Sequence, residues 1–354
     1  MLLVKFIGSF KDMFFSKSNK IDELDNKVNS LQKEYQSLIS EVESLKSEND
    51  KLKAVNDKLN DENNKLKKEF NNFNRANDKI LDSYNENFKL LFYFYDLKPK
   101  SILKNMQDIC QEVLNFVVNV CEKHGIEYWL EGGTLLGAVR HGGFLPWDDD
   151  IDLGMMRKDY ELFMDVFDSE LKNHNLEKQM KWKLLRHKNN VLYFIQVSYA
   201  RFAVLDIFPY DYIENPPENI QKMYGAEKSK FKSNILEGKS YSQAIDDLYS
   251  NLNLSRDEKP FVIPGVERPG PSPFHVQNTE ELFPLTKVKF NNYEYLAHKN
   301  NDYHLEKLYG DWKDFPKVLD RHNRVYKLKY RPNFDSFLEK KVKTLREKND
   351  SFND

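Results

Sequence analysis

The sequence predicts an α/β (α+β) domain with a mixed sheet, preceded by a long N-terminal parallel coiled coil. Three observations predict this fold class. An uninterrupted heptad repeat spans residues 21–87. Further along the chain, apolar residues at helical spacing alternate with short stretches of β-type spacing. Between them, residues 131–153 hold five glycines and four aspartates, although the whole chain of 354 residues has only 13 glycines.

Length and composition set the first limits. A chain of 354 residues exceeds one average domain, so at least two parts are expected. The net charge of −2 lacks the basic surplus of a nucleic-acid-binding protein, and no nucleic-acid partner is predicted. The 25 phenylalanines and 19 tyrosines are enough to fill a large core. No window of about 20 apolar residues exists, so no membrane-spanning helix is predicted.

The cysteine content indicates the compartment. Cys110 and Cys121 fall on one apolar helical pattern, and no C-x-x-C pair is present. We expect two reduced, buried thiols in a cytoplasmic protein.

Residues 1–18 carry an apolar stripe at helical spacing, flanked by lysines. One interpretation is an amphipathic helix in peripheral contact with the inner face of the cell membrane. The other is a helix packed against protein. A secretory signal is disfavoured because the apolar run is short, breaks at Gly8 and Ser9, and lacks a basic leader. The stripe consists of Leu3, Phe6, Ile7, Phe10, Met13 and Phe14.

Residues 19–88 are predicted to form the coiled coil, about 100 Å long at 1.5 Å per residue. Leucine dominates one core position of the heptads, and β-branched residues and asparagines share the other. This combination favours a parallel two-stranded homodimer, with a trimer or a hetero-partner as alternatives. Asparagines at 49, 56, 63 and 77 would fix the register at some expense of stability. The leucines are Leu24, Leu31, Leu38, Leu45, Leu52, Leu59 and Leu66.

A catalytic domain is predicted over residues 89–345, with a tail at 346–354 that frays from Lys340. Residues 88–100 are apolar and are expected to dock the coil onto this domain. The predicted elements are helices at 101–124, 134–139 and 159–175, a strand at 128–131, strand-like residues 191–208, a polar helical region at 216–254, a proline-rich loop at 255–285, a strand at 288–290 and a helical run to 309–312.

The glycines of the central run predict a phosphate cradle. Glycine allows a ligand to approach the backbone closely, and N–H groups at the start of a helix attract anions. Gly132, Gly133 and Thr134 are therefore expected to contact the phosphates of a substrate, with a tight turn as the alternative. Arg140 and His141 are further candidates for phosphate or nucleotide binding.

The aspartates of the same run predict a metal site. Residues two apart in a strand share a face, so Asp148, Asp150 and Asp152 would point one way and Ile151 and Leu153 into the core. Carboxylates gathered on one face repel one another unless a cation lies between them. Mg²⁺ or Mn²⁺ suits such oxygen ligands. The alternatives are an aspartate-rich surface turn or a Ca²⁺ loop, whose EF-hand spacing is not matched.

A third carboxylate is expected from another strand. Asp206 fits because it lies among apolar residues, where an unpaired carboxylate would be unfavourable. It is also the candidate base for an acceptor hydroxyl. Asp149 is expected to face away from the metal, and Asp148 to be a ligand or a supporting group.

The central run EGGTLLGAVRHGGFLPWDDDIDLGM, followed by DYELF, LDIFPYD and LYGDW, resembles the LicD family. That family includes bacterial phosphocholine transferases, fukutin and fukutin-related protein, and the resemblance covers roughly residues 100–330. It implies a nucleotidyltransferase-like fold in which a Gly-Gly pair precedes a strand bearing two aspartates, here Asp150 and Asp152. It also implies transfer of a phosphoalcohol from a CDP-activated donor to a sugar. The coil lies outside the resemblance, and residues 234–285 do not match closely.

The motif and the resemblance together predict a metal-dependent phosphotransferase. It would move phosphocholine, or another phosphoalcohol, from CDP-choline or a related donor to a glycan hydroxyl of cell-surface polysaccharide or lipopolysaccharide, releasing CMP. Asp150, Asp152 and Asp206 would hold the metal. One alternative is a true nucleotidyltransferase acting on a sugar or phosphate. The other is a non-catalytic coiled-coil scaffold, for which no metal would bind.

Overall fold

The computed structural model describes residues 2–94, 99, 101–184, 194–268, 274–314 and 333–352. Side chains at 1–7, 10–16, 18, 19, 85 and 92–94 lie outside this description. The side chains of the apolar stripe at 1–18 therefore lie largely outside the description. Residues 191–193, where the predicted strand-like stretch starts, lie wholly outside it, and so do Arg321, His322 and Arg324, which form a basic cluster in the sequence.

The described chain divides into two compact units, Met1–Tyr84 and Asn85–Asp354. Helix α1 covers Leu2–Phe94. Its heptad leucines are exposed in the single chain, for example Leu31 at 63% and Leu38 at 58%. No helix among the described residues combines the length and the apolar character needed to cross a membrane.

The second unit is built on a mixed sheet. The helices are α2 (Ser101–His124), α3 (Gly132–His141), α4 (Arg157–Asn173), α5 (Ile220–Leu236), α6 (Tyr241–Leu252), α7 (Thr279–Leu282), α8 (Asn301–Tyr309) and α9 (Phe334–Asp350). The strands are β1 (Trp129–Leu130), β2 (Ile151–Met156), β3 (Met180–Leu184), β4 (Ile195–Tyr199), β5 (Ala203–Ile213), β6 (Leu254–Ser255), β7 (Phe261–Pro264), β8 (Gln277–Asn278), β9 (Thr286–Phe290) and β10 (Tyr293–Ala297).

The strand order is β1-β2-β5-β4-β3, with β6 and β7 paired to the end of β5 and β8 paired to β7. Strands β2 and β5 run parallel. Their neighbours β1 and β4 are antiparallel to them. A separate two-stranded sheet joins β9 and β10. The long strand β5 therefore links the β1–β4 part of the sheet to its smaller β6–β8 part.

Helix α2 fills the centre of the main core. Met106, Ile109, Val113 and Phe116 are fully buried along one face of it. Burying each such side chain contributes about 1.5–3 kcal/mol. The face that carries Glu112 is covered by α9, where Arg346 Nε donates to Glu112 Oε1 at 2.8 Å.

The observed elements confirm most of the predicted ones and correct several. Helix α2 has the predicted bounds, and the polar helical region 216–254 is two helices, α5 and α6. The strand-like stretch 191–208 is broken by a turn with positive φ at Ala200 and Arg201, which separates β4 from β5. The expected fraying from Lys340 is wrong because α9 continues to Asp350 and buries Leu345. Cys110 and Cys121 are buried and free, as expected.

Candidate active site

The site is organised by the parallel pair β2 and β5. In their register Asp152 lies opposite Asp206. Paired residues of parallel strands project to the same face, so the two carboxylates are neighbours. Ile151 and Leu153 point to the other face and are fully buried, as predicted. Gln196 on β4 donates from Nε2 to Asp206 Oδ1 at 2.9 Å, which orients that carboxylate.

The three aspartates before β2 lie in a loop, not in the strand. Strand β2 begins at Ile151, so β-type alternation does not apply to residues 148–150. Carboxylate oxygens of Asp148, Asp149 and Asp150 all lie within 4.8 Å of one another. The expectation that Asp149 faces away from this group is therefore wrong, and the reason is that the loop turns all three side chains together.

Helix α2 holds this loop in place through side chains that bind its backbone. Gln107 Nε2 donates to the carbonyl of Asp148 at 2.9 Å. The thiol of Cys110 contacts the carbonyl of Asp149 at 3.3 Å. Because α2 is the most buried helix of the domain, the aspartate loop rests on a rigid support.

Helix α3 begins at the two glycines and brings its N-terminus to the carboxylates. Gly132 has φ +54°, and a Cβ built on it would lie 3.0 Å from Asp152 Oδ2. A Cβ on Gly133 would lie 3.0 Å from Asp148 Oδ2. These short distances favour glycine at both positions, and the N–H groups of the helix start lie beside the acidic face.

Thr134 joins α3 to β2. Its hydroxyl oxygen accepts a hydrogen bond from the backbone N–H of Asp152 at 2.9 Å, and the residue is only 3% exposed. The observed role of this side chain is to fix the glycine turn against the strand that carries Asp152.

The acidic face is electrostatically unfavourable without a counter-ion. Burial raises the pKa of Asp152 well above its ordinary value, and the carboxylates of Asp150, Asp206 and Asp148 raise it further. Burial and the neighbouring carboxylate of Asp150 likewise raise the pKa of Asp148. A divalent cation bound among these oxygens would reverse both effects. The possible donors here are all carboxylate oxygens, and such a ligand set fits Mg²⁺ or Mn²⁺.

Arg268 and Tyr309 also reach this face, and sequence reasoning missed both roles. The guanidinium of Arg268 lowers the pKa of Asp152, against the larger raising effects. The hydroxyl of Tyr309 lies 3.7 Å from the Cβ position of Gly132. Desolvation of this hydroxyl and the carboxylates of Asp152 and Glu131 raise the pKa of Tyr309, although the residue as a whole is 47% exposed, and the hydroxyl stays a neutral donor. The only available signal was the LYGDW motif itself.

Arg140 and His141 are not brought to the glycine end of α3. Arg140 is eight residues beyond Gly132, about 12 Å along the helix axis. Its Nη1 donates to the carbonyls of Trp312 at 2.9 Å and Asp314 at 3.2 Å, which ties α3 to the loop after α8. His141 is exposed at the last position of the helix.

Two aromatic side chains of the central run belong to the core. The ring centroid of Phe144 lies 4.9 Å from that of Phe290, and Trp147 packs against the same core. Packing in the core therefore accounts for both side chains.

Comparison with known proteins identifies a matching family and several similar proteins. Residues 125–243 match the family described as LicD/FKTN/FKRP, nucleotidyltransferase domain. The lipopolysaccharide cholinephosphotransferase LicD of Haemophilus influenzae is 36% identical over 129 residues, covering 34% of this chain and 49% of the relative. An uncharacterized protein of Rickettsia typhi is 28% identical over 223 residues, covering 63% of this chain and 50% of the relative.

The human ribitol 5-phosphate transferase FKRP is 55% identical over 49 residues, covering 14% of this chain and 10% of the relative. The chain thus spans about half the length of the two bacterial relatives and a small part of the human one. The predicted resemblance to the LicD family is confirmed over the domain that carries the glycines and the aspartates.

Proposed function

We propose that this chain, in which residues 125–243 form a domain of the LicD family, transfers a phosphoalcohol from a CDP-activated donor to a glycan hydroxyl. The observation that carries the proposal is the meeting of the Gly132–Gly133 turn with Asp152 and Asp206. The names of the cholinephosphotransferase and the ribitol 5-phosphate transferase support the reaction class. Phosphocholine is our first choice of group, and CMP the expected product.

In this proposal Asp150, Asp152 and Asp206 hold Mg²⁺ or Mn²⁺. When bound, the ion would neutralise negative charge on the phosphates of the donor. The N–H groups at the start of α3 offer an anion site for the pyrophosphate, and glycine at 132 and 133 lets the phosphates approach the backbone. The hydroxyl of Tyr309, held neutral, donates to a phosphate oxygen on the same side.

The transfer step is a displacement at phosphorus. The acceptor hydroxyl oxygen forms a bond to the phosphorus that carries the alcohol, and the bond from that phosphorus to the oxygen of CMP breaks. The hydroxyl proton passes to a carboxylate, for which we choose Asp206 because Gln196 fixes its other oxygen. Arg140 keeps a positioning role, since it holds the loop that follows Tyr309 through the carbonyl of Trp312.

The two alternatives predict different products. A true nucleotidyltransferase would leave the nucleotide on the acceptor, whereas a scaffold would give no turnover. The experiment is to incubate the full chain with Mg²⁺, a panel of CDP-alcohols and a glycan acceptor, and to identify the products by mass spectrometry. An acceptor that gains one phosphoalcohol with release of one CMP supports the proposal. An acceptor that gains CMP, or activity that survives Asp150→Asn with Asp152→Asn, contradicts it.

We also propose that α1 forms a parallel homodimeric coiled coil. The supporting observation is its exposed seam of heptad leucines, since Leu31, Leu38 and Leu45 would remain in water in a lone helix. The dimer would place two catalytic domains on one assembly. Peripheral contact of residues 1–18 with the inner face of the membrane remains part of the proposal, because their apolar stripe flanked by lysines suits a membrane surface.

A further inference from the structure

A second cluster of ionisable side chains begins at Glu131, directly before the two glycines, and is completed by His298 and His304. One ligand atom from each residue lies within 4.8 Å of the other two, and all three residues are 0% exposed. We propose that this cluster binds a divalent transition-metal ion, with Zn²⁺ as the best fit, at a site separate from the aspartates.

His304 has the geometry of a metal ligand whose second nitrogen is fixed by a hydrogen bond. Its Nδ1 lies 2.8 Å from Gln277 Oε1, a carbonyl oxygen, so Nδ1–H is the donor. This leaves the lone pair of Nε2 facing Glu131 Oε2 at 3.1 Å. Two ligands of a tetrahedral Zn²⁺ ion with bonds near 2.0 Å lie about 3.3 Å apart, so both atoms can bind one ion.

His298 provides the independent observation. Within the described part of the chain, neither of its ring nitrogens makes a hydrogen bond of good geometry, although the side chain is fully buried and the backbone carbonyl of Leu282 lies near the ring. Its ring centroid lies 4.3 Å from that of His304. A buried imidazole without a partner is unfavourable, and a metal bond would satisfy it.

Glu131 is a preformed anionic ligand. Tyr210 O–H and Arg268 donate to Oε1 at 2.9 and 3.0 Å, and Trp129 Nε1–H donates to Oε2 at 2.9 Å. Arg268 also faces Asp152, so its positive charge is shared between the two acidic residues.

The ligand set separates this site chemically from the aspartates. Two imidazoles and one carboxylate suit Zn²⁺, whereas Mg²⁺ prefers an all-oxygen set. The ion would connect the residue before Gly132 to α8 through His304 and to the end of β10 through His298. It would thus hold the glycine turn in place without touching a substrate.

In the alternative without a metal, His304 Nε2–H donates to Glu131. That alternative provides no partner for the ring nitrogens of His298. The test uses the full chain, freed of any affinity tag, with Asp150→Asn and Asp152→Asn introduced to disable the aspartate site. We expect about one Zn²⁺ per chain by mass spectrometry of the metal content. We expect Co²⁺ to give the visible bands of a tetrahedral site, and His298→Gln and His304→Gln to lose the metal, while His124→Gln retains it.

Thermal unfolding of a chain with intact histidines tests the proposal even if the histidine variants fail to fold. Removing the metal with a chelator should lower the Tm of the chain that carries only Asp150→Asn and Asp152→Asn, and Zn²⁺ but not Mg²⁺ should restore it, by roughly 5–10 °C at 100 times the Kd. Protein that carries no transition metal, shows no Co²⁺ bands and has a Tm indifferent to Zn²⁺ would overturn the proposal. Because the aspartate site is disabled, neither result depends on the proposed transferase activity.

Discussion

Asp152 on β2 lies directly opposite Asp206 on β5, and Oδ2 of Asp152 lies 3.0 Å from the position a Cβ would take on Gly132 at the start of α3. These three residues join two parallel strands and one helix N-terminus at a single point. The arrangement places a helix start, which attracts anions, beside an acidic face, and the proposed cation site rests on this arrangement.

Replacing Gly132 with alanine should abolish metal-dependent turnover. The new Cβ would lie 3.0 Å from Asp152 Oδ2 and would have to push that carboxylate away. The matched control is Gly142→Ala, because Gly142 also has positive φ (+68°) but open space around its Cβ position. Both variants should lose about 1 kcal/mol of stability from backbone strain. Steady-state kinetics at saturating Mg²⁺ measures the difference.

Equal activity in the two variants would contradict this account of Gly132. A loss in both would point to backbone strain alone, and the close approach to Asp152 would then carry no functional weight.

Asp152→Asn should stabilise the protein at neutral pH when Mg²⁺ and Mn²⁺ are absent. The folded-state pKa of Asp152 is raised by burial and by its neighbouring carboxylates. A raised carboxyl pKa gives stability that is complete below the unfolded pKa of about 4 and is lost as pH rises through the folded pKa. Asparagine does not ionise and avoids that loss. We expect a Tm about 2–6 °C higher at pH 7 and no difference below about pH 4.

Thermal unfolding across this pH range tests the prediction, with the exposed Asp165→Asn as the control. Adding Mn²⁺ should raise the Tm of the parent protein and leave that of Asp152→Asn nearly unchanged. A variant that is less stable than the parent at neutral pH without metal would be evidence against the acidic repulsion described here.

The sequence was informative where local patterns determine structure. The apolar spacing of residues 101–124 gave α2 its bounds because the helix is buried along a continuous face. The placement of Asp206 was predicted from its apolar neighbours, and the register with Asp152 agrees. The glycine pair was predicted to start a helix, and α3 begins at Gly132.

Sequence patterns failed where contacts between distant parts of the chain determine the position of a side chain. Asp149 was misplaced because β-type alternation was extended into a loop whose shape is set by Gln107 and Cys110 of α2. Arg268 and Tyr309 reach the site from segments far along the chain, and no spacing rule relates them to Asp152. Arg140 was assigned by residue type alone, whereas its partners are main-chain carbonyls that have no sequence signature.

Tyr309→Phe should lower kcat/KM by roughly 10- to 100-fold, the effect of losing one hydrogen bond to a charged phosphate. Metal binding should change little, since the hydroxyl is a donor and not a metal ligand. Tyr293→Phe is the control because Tyr293 is exposed to a similar extent, 41% against 47% for Tyr309, and lies on β10 of the separate two-stranded sheet. Kinetics and a metal titration on the same preparations separate the two effects. An unchanged kcat/KM for Tyr309→Phe would remove this residue from the proposed site.

Substituting Leu31, Leu38 and Leu45 by asparagine should convert the proposed dimer into a monomer. The leucines are exposed along the seam of α1, and polar residues at these core positions remove the apolar area that holds two helices together. Sedimentation equilibrium measures the mass directly. Three substitutions away from the seam, Gln36, Glu43 and Asp50 to alanine, should leave the dimer intact. A monomeric parent protein would contradict the coiled-coil proposal.

The most direct test of the central claim is Mn²⁺ binding followed by electron paramagnetic resonance, with the parent protein, Asp152→Asn, Asp206→Asn and Asp165→Asn compared at one concentration. We predict that the parent and Asp165→Asn bind Mn²⁺ and that each of the other two variants weakens binding by at least about tenfold, the effect of about 1.4 kcal/mol. Mn²⁺ bound equally well by all four proteins would contradict a metal site shared by β2 and β5.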